Sequence, residues 1–168
     1  MPTDPSTIHT KLWELIKDIR FGMLTSRGPS GALYAQPMTV QNRDIDEDAT
    51  LYFFIAKSGE PHARLQADKA VNVSFADPGA DSYVSLAGTA EFVDDARRKE
   101  ELWSPLAKAW FPGGPTDPDL VLLAVHIAQA EYWDVQESKM TQLFKMAKAA
   151  VTGERPTSLG KHEELRLS

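Results

Sequence analysis

The stretch FGMLTSRGPSGALYAQPMTVQ, residues 21–41, decides the fold. In its first part Phe21, Met23 and Thr25 alternate with Gly22, Leu24 and Ser26, the two-residue period of a strand with unlike faces. Gly28-Pro29-Ser30-Gly31 is turn chemistry. Ala32 to Gln41 then reads as the returning strand, so the stretch is a β-hairpin. Pro37 inside that strand has no N–H for a ladder. It belongs at a sheet edge, a bulge or a place where the ladder opens, and backbone groups freed there could face a ligand.

Outward from the hairpin the pattern continues in short strands. Leu51-Tyr52-Phe53-Phe54-Ile55 is aromatic and β-branched and reads as a strand buried on both faces. Val71 to Phe75 is the next, and Asp77-Pro78-Gly79 turns the chain into a long strand, Tyr83 to Val93. Leu120 to Ile127 and Ala130 to Val135 read as the last two. Helices decorate this frame. Ser6 or Thr7 caps a first one, whose stripe is Ile8, Leu12, Leu15, Ile16 and Ile19. Pro61 opens a short one through Leu65. Asp94 caps a polar one over residues 95–103. Ser104-Pro105 restarts a run to Trp110, and residues 137–150 form a final helix. No long series of strand–helix–strand units appears. The expected class is therefore mainly β, an antiparallel barrel with helical decorations. One domain spans residues 1–152, with 1–5 flexible and 153–168 a disordered tail.

Composition narrows the function. The 168 residues carry 18 Lys and Arg against 24 Asp and Glu, a net charge of −6. An acidic chain is poorly matched to nucleic acid, whose binding rests on neutralising phosphates. There is no cysteine, which excludes disulfides, thiolate metal sites and thiol nucleophiles. The N-terminal residues lack a basic segment followed by an apolar run, and no stretch approaches 18 apolar residues. A cytoplasmic protein without membrane contact is expected.

Few motifs carry chemistry. The acidic run Asp44 to Asp48 fails as a calcium loop, because its sixth and twelfth positions hold Ala49 and Ile55 instead of Gly and Glu. The histidines, at 9, 62, 126 and 162, have no metal-ligand spacing, and no Gly-x-Ser-x-Gly elbow exists. No catalytic residue and no metal site is assigned. The break Lys57-Ser58-Gly59-Glu60-Pro61 is more informative: a strand ends and a helix begins. Helix-start amides suit an anion, with Lys57 adding charge and Ser58 a hydroxyl. Glu60 opposes that reading. The Trp110-Phe111-Pro112-Gly113-Gly114 loop, with Trp103 before it, is too apolar for a free surface and should press on the core, a partner subunit or a ligand.

Taken in order, Phe21 to Ser26, Gln36-Pro37-Met38-Thr39, Leu51 to Ile55, Val71 to Pro78, Leu102 to Gly114 and Ala130 to Asp134 resemble the pyridoxamine-phosphate-oxidase-like, flavin-binding split-barrel family, in its general stress protein 26 branch. The resemblance covers about residues 6 to 136. It implies a six-stranded split barrel that forms a homodimer, with flavin mononucleotide (FMN) at the subunit interface. It implies that Gln36, Pro37, Met38, Thr39, Val40 and Gln41 lie along the isoalloxazine ring. Phe53, Phe54 and Ile55 then lead to Lys57, Ser58 and Gly59 at the ribityl phosphate, and Trp110 and Phe111 close the pocket from the other subunit. Two positions depart from the family pattern. Gln36 stands where many members have Arg, and Gly59-Glu60-Pro61 where many have Ser-x-Lys. A deazaflavin is the alternative ligand. The implied activity is flavin-dependent oxidoreduction with a small-molecule electron donor or acceptor. The alternative is a non-enzymatic flavin carrier or stress sensor.

Overall fold

The computed structural model describes residues 5–45, 48–134, 146–148, 150–153 and 161–166. Helix α1 (Pro5–Ile16) leads into β1 (Phe21–Arg27), β2 (Leu33–Thr39) and β3 (Thr50–Ala56). Helix α2 (Glu60–Ala67), β4 (Ala70–Asp77), β5 (Ser82–Val93) and α3 (Ala96–Leu102) follow. Two 3₁₀ turns, Pro105–Ala109 and Gly114–Thr116, precede β6 (Leu120–Asp134), and β7 (Lys161–Arg166) comes last. All pairings are antiparallel, in the order β2-β1-β4-β5-β6-β3, with β7 on β6. The fold is thus mainly β, a curled antiparallel sheet with helical decorations, as the strand spacing implied.

The alternation in β1 decides which side is the core. Gly22, Leu24 and Ser26 face inward, and Phe21, Met23 and Arg27 face out. The concave face gathers Leu24, Leu51, Phe53, Val73, Phe75, Val84, Leu86, Leu123 and Val125, all but excluded from water. Helix α1 closes one end of this core with Leu12 and Ile16, two members of its predicted stripe. β3 is buried on both faces, as its composition predicted. The hairpin turn is closed by Gly28 N–H to Ala32 O at 2.8 Å and Gly31 N–H to Gly28 O at 3.0 Å. Gly31 sits at φ +82°, where a side chain would be strained.

Several boundaries depart from the sequence reading. The two expected last strands are one strand, β6. The interruption is a bulge: Ala87 pairs with Gln129 and Gly88 with Ile127, so Ala128 is the extra residue. Only glycine fits opposite it, since a Cβ on Gly88 would lie 2.2 Å from the His126 carbonyl oxygen. The cap of α3 is Asp95, not Asp94, because the Asp95 carboxylate accepts the Arg98 N–H at 3.0 Å. Helix α2 starts one residue before Pro61 and runs two residues past Leu65. In the segment after Gly153, expected as a disordered tail, Lys161–Arg166 forms β7 against Gln129 to Asp134. That pairing covers the part of the β6 edge that β3, pairing only up to His126, leaves open. The expected helix over residues 137–150 falls mostly outside the described residues; 146–148 and 150–152 are helical.

Candidate functional site

The sheet does not close into a full barrel. β2 and β3 are its two ends. They are joined by a backbone bond from Gln41 N–H to Tyr52 O at 2.8 Å. Asn42 reinforces the joint: its amide donates to Thr50 O at 2.9 Å, and its side-chain oxygen accepts the Tyr52 N–H at 2.7 Å. Toward Leu33, β2 is paired with β1 alone. Pro37 therefore stands in an edge strand, where its missing N–H costs no ladder bond. This open edge is the seam of the split barrel.

The two faces of the β1–β2 ribbon differ. Cross-strand register puts Phe21, Met23 and Arg27 with Thr39, Pro37 and Leu33 on the outer face. Phe21 and Leu33 are each 65% exposed, so an apolar stripe lies uncovered on this single chain. The inner face places Gln36 and Met38 beside α2, with the Gln36 amide 3.6 Å from Met38 Sδ. Arg64, on α2, reaches under them with a side chain only 11% exposed. Its Nε donates to Ser26 Oγ and its Nη2 to Gln36 Oε1, each at 3.2 Å. Its Nη1 lies 3.5 Å from Glu60 Oε2, and the guanidinium sits 4.8 Å from the Tyr34 ring centroid. A guanidinium has five N–H donors, and these contacts use at most three. The cation is thus held beside the open strand with donors to spare. The sequence reading missed Arg64. The partner positions of Arg64 and Gln36, 28 residues apart, carry no local signal; the only clue was the Gln at position 36 where the family has a cation.

The expected phosphate loop is different from its sequence reading. Lys57 N–H donates to Asp119 O at 2.8 Å. Ser58 N–H donates to Asp119 Oδ1 at 2.8 Å and Ser58 Oγ to Asp119 Oδ2 at 2.9 Å. Gly59 N–H donates to Ala56 O at 3.0 Å. The three amides and the hydroxyl assigned to an anion are already spent, most of them on a residue that is itself an anion. A phosphate there would have to displace Asp119 and would be repelled by it. The Lys57 side chain remains exposed.

The aromatic residues sort cleanly. Phe53 and Ile55 belong to the main core, and Phe54 to a smaller one with Ala107, Phe111, Leu120 and Leu122. Phe54 lies 6.0 Å from the Trp103 ring. The side chains of Phe53, Phe54, Ile55 and Phe111 are therefore packing groups, and the three strand residues could meet a ligand only through backbone. Trp110 is the opposite: 82% exposed, on a turn that packs its neighbours inward. Of the three places open to this apolar loop, the core takes Phe111 and Trp103.

Other polar constellations do not amount to a catalytic centre. Thr50 Oγ1 lies 3.1 Å from His126 Nδ1, and His126 Nε2 lies 2.6 Å from Glu91. The order resembles a hydrolytic triad, but Thr50 is buried beneath the strand and its hydroxyl also approaches Asp48 O at 3.3 Å. An acyl-transfer nucleophile must reach its substrate. Among the described residues no three potential metal ligands converge, and no helix is long and apolar enough to cross a membrane.

An edge-open, curled antiparallel sheet with an end helix defines a split β-barrel. The chain belongs to the family described as pyridoxamine 5′-phosphate oxidase like, whose sequence profile matches residues 8–157. The Neurospora crassa protein bli-3 is 26% identical over 155 residues, 87% of this chain and 73% of its own. Among solved structures, a general stress protein 26 candidate from Jannaschia sp. CCS1 superposes with a TM-score of 0.71 at 30% identity, covering 96% of this chain and 99% of its own. The general stress FMN/FAD binding protein of Xanthomonas citri superposes with a TM-score of 0.65 at 31% identity, covering 79% and 92%.

Proposed function

We propose that this chain is an FMN-binding protein that acts as a homodimer, with the flavin along the open edge of β2. The observation that carries the reading is the unpaired β2 edge with a nearly buried, incompletely satisfied Arg64 beside Gln36. The Xanthomonas citri relative, described as FMN/FAD binding, supports it.

The residues fit the group in part and redistribute its contacts. Open-edge backbone groups of Gln36 to Thr39 meet the polar rim of the ring, while the Val40 and Gln41 N–H groups stay on Arg20 O and Tyr52 O. Arg64 supplies the cation for the phosphate, in place of the amides of Lys57, Ser58 and Gly59 that Asp119 occupies. Gln36, held by Arg64, is fixed in one orientation and presents its amide to the ligand side. The apolar outer stripe, Phe21, Met23, Pro37 and Leu33, is covered by the second copy, and Trp110 reaches across to it. Together they exclude water from the ring. Bound FMN supplies the redox chemistry, a two-electron exchange with a small-molecule donor or acceptor; the chain supplies position and hydrogen bonds. Because no side chain among the described residues stands ready as acid or base, carriage or sensing of the flavin is the second reading. Bleaching of the bound flavin by a nicotinamide donor separates the two.

The test is Arg64→Gln, titrated with FMN and with riboflavin. FMN binding should fall at least tenfold, the loss expected of a charge-assisted contact, while riboflavin binding changes little. Equal losses for both ligands would remove the phosphate from Arg64.

A further inference from the structure

A concave site lies just past the C-terminal end of β2, where the helix α1 C-terminus meets the segment after the strand. It is an open cleft of about 340 Å³, within the size range of small-ligand sites. Trp13 provides a flat wall, and Lys17, Arg20 and Arg43 bring three cations against one carboxylate, Asp18.

Two of the three cations are not spent on neighbours. Lys17 pairs with Glu14 at 2.8 Å, which raises its ammonium above the ordinary lysine value and keeps it charged. Among the described residues neither Arg20 nor Arg43 has an ion pair or hydrogen bond through its side chain. The adjacent Asp44 carboxylate is turned onto its own loop by the Ile45 N–H at 2.8 Å. The wall behind is rigid, since Asn42 is buried with its side chain fully used by Asp44 O, Thr50 O and Tyr52 N–H. Arg20 sits at φ +58°, in the turn that ends α1, where its N–H reaches Ile16 O at 3.3 Å. Glycine is the ordinary occupant of that position. An arginine there bears a conformational cost, which its backbone bonds to Ile16 O and from the Val40 N–H help to offset.

We propose that this cleft binds a small planar organic anion, an aromatic ring bearing a carboxylate or a phosphate. The ring stacks on Trp13 and the anion is met by Arg20 and Arg43. The site borders the flavin-binding edge at Val40 and does not depend on it.

The probes are benzoate, phenyl phosphate and neutral benzamide, titrated into the full chain with and without saturating FMN. The readout is calorimetry together with Trp fluorescence. Both anions should bind and benzamide should not; tighter binding by either anion supports the proposal and names its head group. Arg20→Gly, which relieves the positive φ and so should keep or raise the melting temperature, should weaken both anions about tenfold. It should leave FMN titration unchanged, which separates this site from the flavin reading. Arg43→Gln should act likewise. Benzamide binding as tightly as benzoate, no effect of either substitution, or complete displacement of the probes by FMN would each overturn the proposal.

Discussion

Replacing Asp119 with Ala tests the assignment of the 57–59 loop. The carboxylate accepts two bonds from Ser58, at 2.8 and 2.9 Å, while the Lys57 N–H goes to the backbone oxygen and survives the change. A hydrogen bond to a charged group contributes about 1.5–3 kcal/mol when shielded from water. These two are exposed, so screening and side-chain entropy reduce the pair to about 1–2 kcal/mol in total. For a domain of this size that lowers the melting temperature by roughly 2–8 °C. Urea denaturation should show the midpoint fall with an unchanged slope, because the core is not touched. Ser58→Ala removes the hydroxyl bond only, and the two substitutions should be non-additive by about 0.5–1 kcal/mol. FMN affinity should change less than twofold. Additive losses would refute the Ser58–Asp119 coupling. A tenfold gain in FMN affinity would refute the placement of the phosphate, showing that the freed amides were its cradle all along.

Other substitutions probe the frame. Gly88→Ala drives a Cβ into the His126 carbonyl, and since backbone must move to admit it, a loss of about 3 kcal/mol or failure to fold is expected by chemical denaturation. Phe53→Ala empties a fully buried site in the main core and should cost about 3–5 kcal/mol; a loss under 1 kcal/mol would mean the residue is not packed there. Phe21→Asp with Leu33→Asp should leave the melting profile of the isolated chain nearly unchanged but abolish the dimer in sedimentation, because both side chains are exposed on one chain. A dimer that persists would place the interface elsewhere.

How far the residues alone reach is clearest by comparing neighbours. The β1 alternation, the Gly28–Gly31 turn and the edge position of Pro37 are local properties, and each could be read from a few adjacent residues. The bulge at Ala128 was read as a gap between strands, because a single extra residue in a long strand leaves only a weak break in the pattern. The cap of α3 was placed one residue early, since Asp94 and Asp95 have the same chemistry and only backbone geometry separates them. The contact at Ser58 is the one least visible in the residues. A loop followed by a helix start looks like an anion cradle until a residue 61 positions later, Asp119, is brought onto it. Arg64 was missed for the same reason: its partners Ser26 and Gln36 are set by the packing of α2 on the inner face, not by spacing. The existence of the strands is a local inference here; their pairing and the occupancy of a polar group are tertiary ones. The β7 strand was hidden by its charge, for a segment holding Lys161, Glu163, Glu164 and Arg166 gains its place from the open β6 edge rather than from a core.

The seam of this split barrel is proposed to hold FMN between two copies. Titrating FMN into the purified, ligand-stripped chain by calorimetry, with sedimentation on the same samples, tests it most directly. One FMN per chain, two per dimer, is expected, with a melting temperature that rises with the logarithm of free ligand. A monomer that takes up no FMN and gains no thermal stability from it would contradict it.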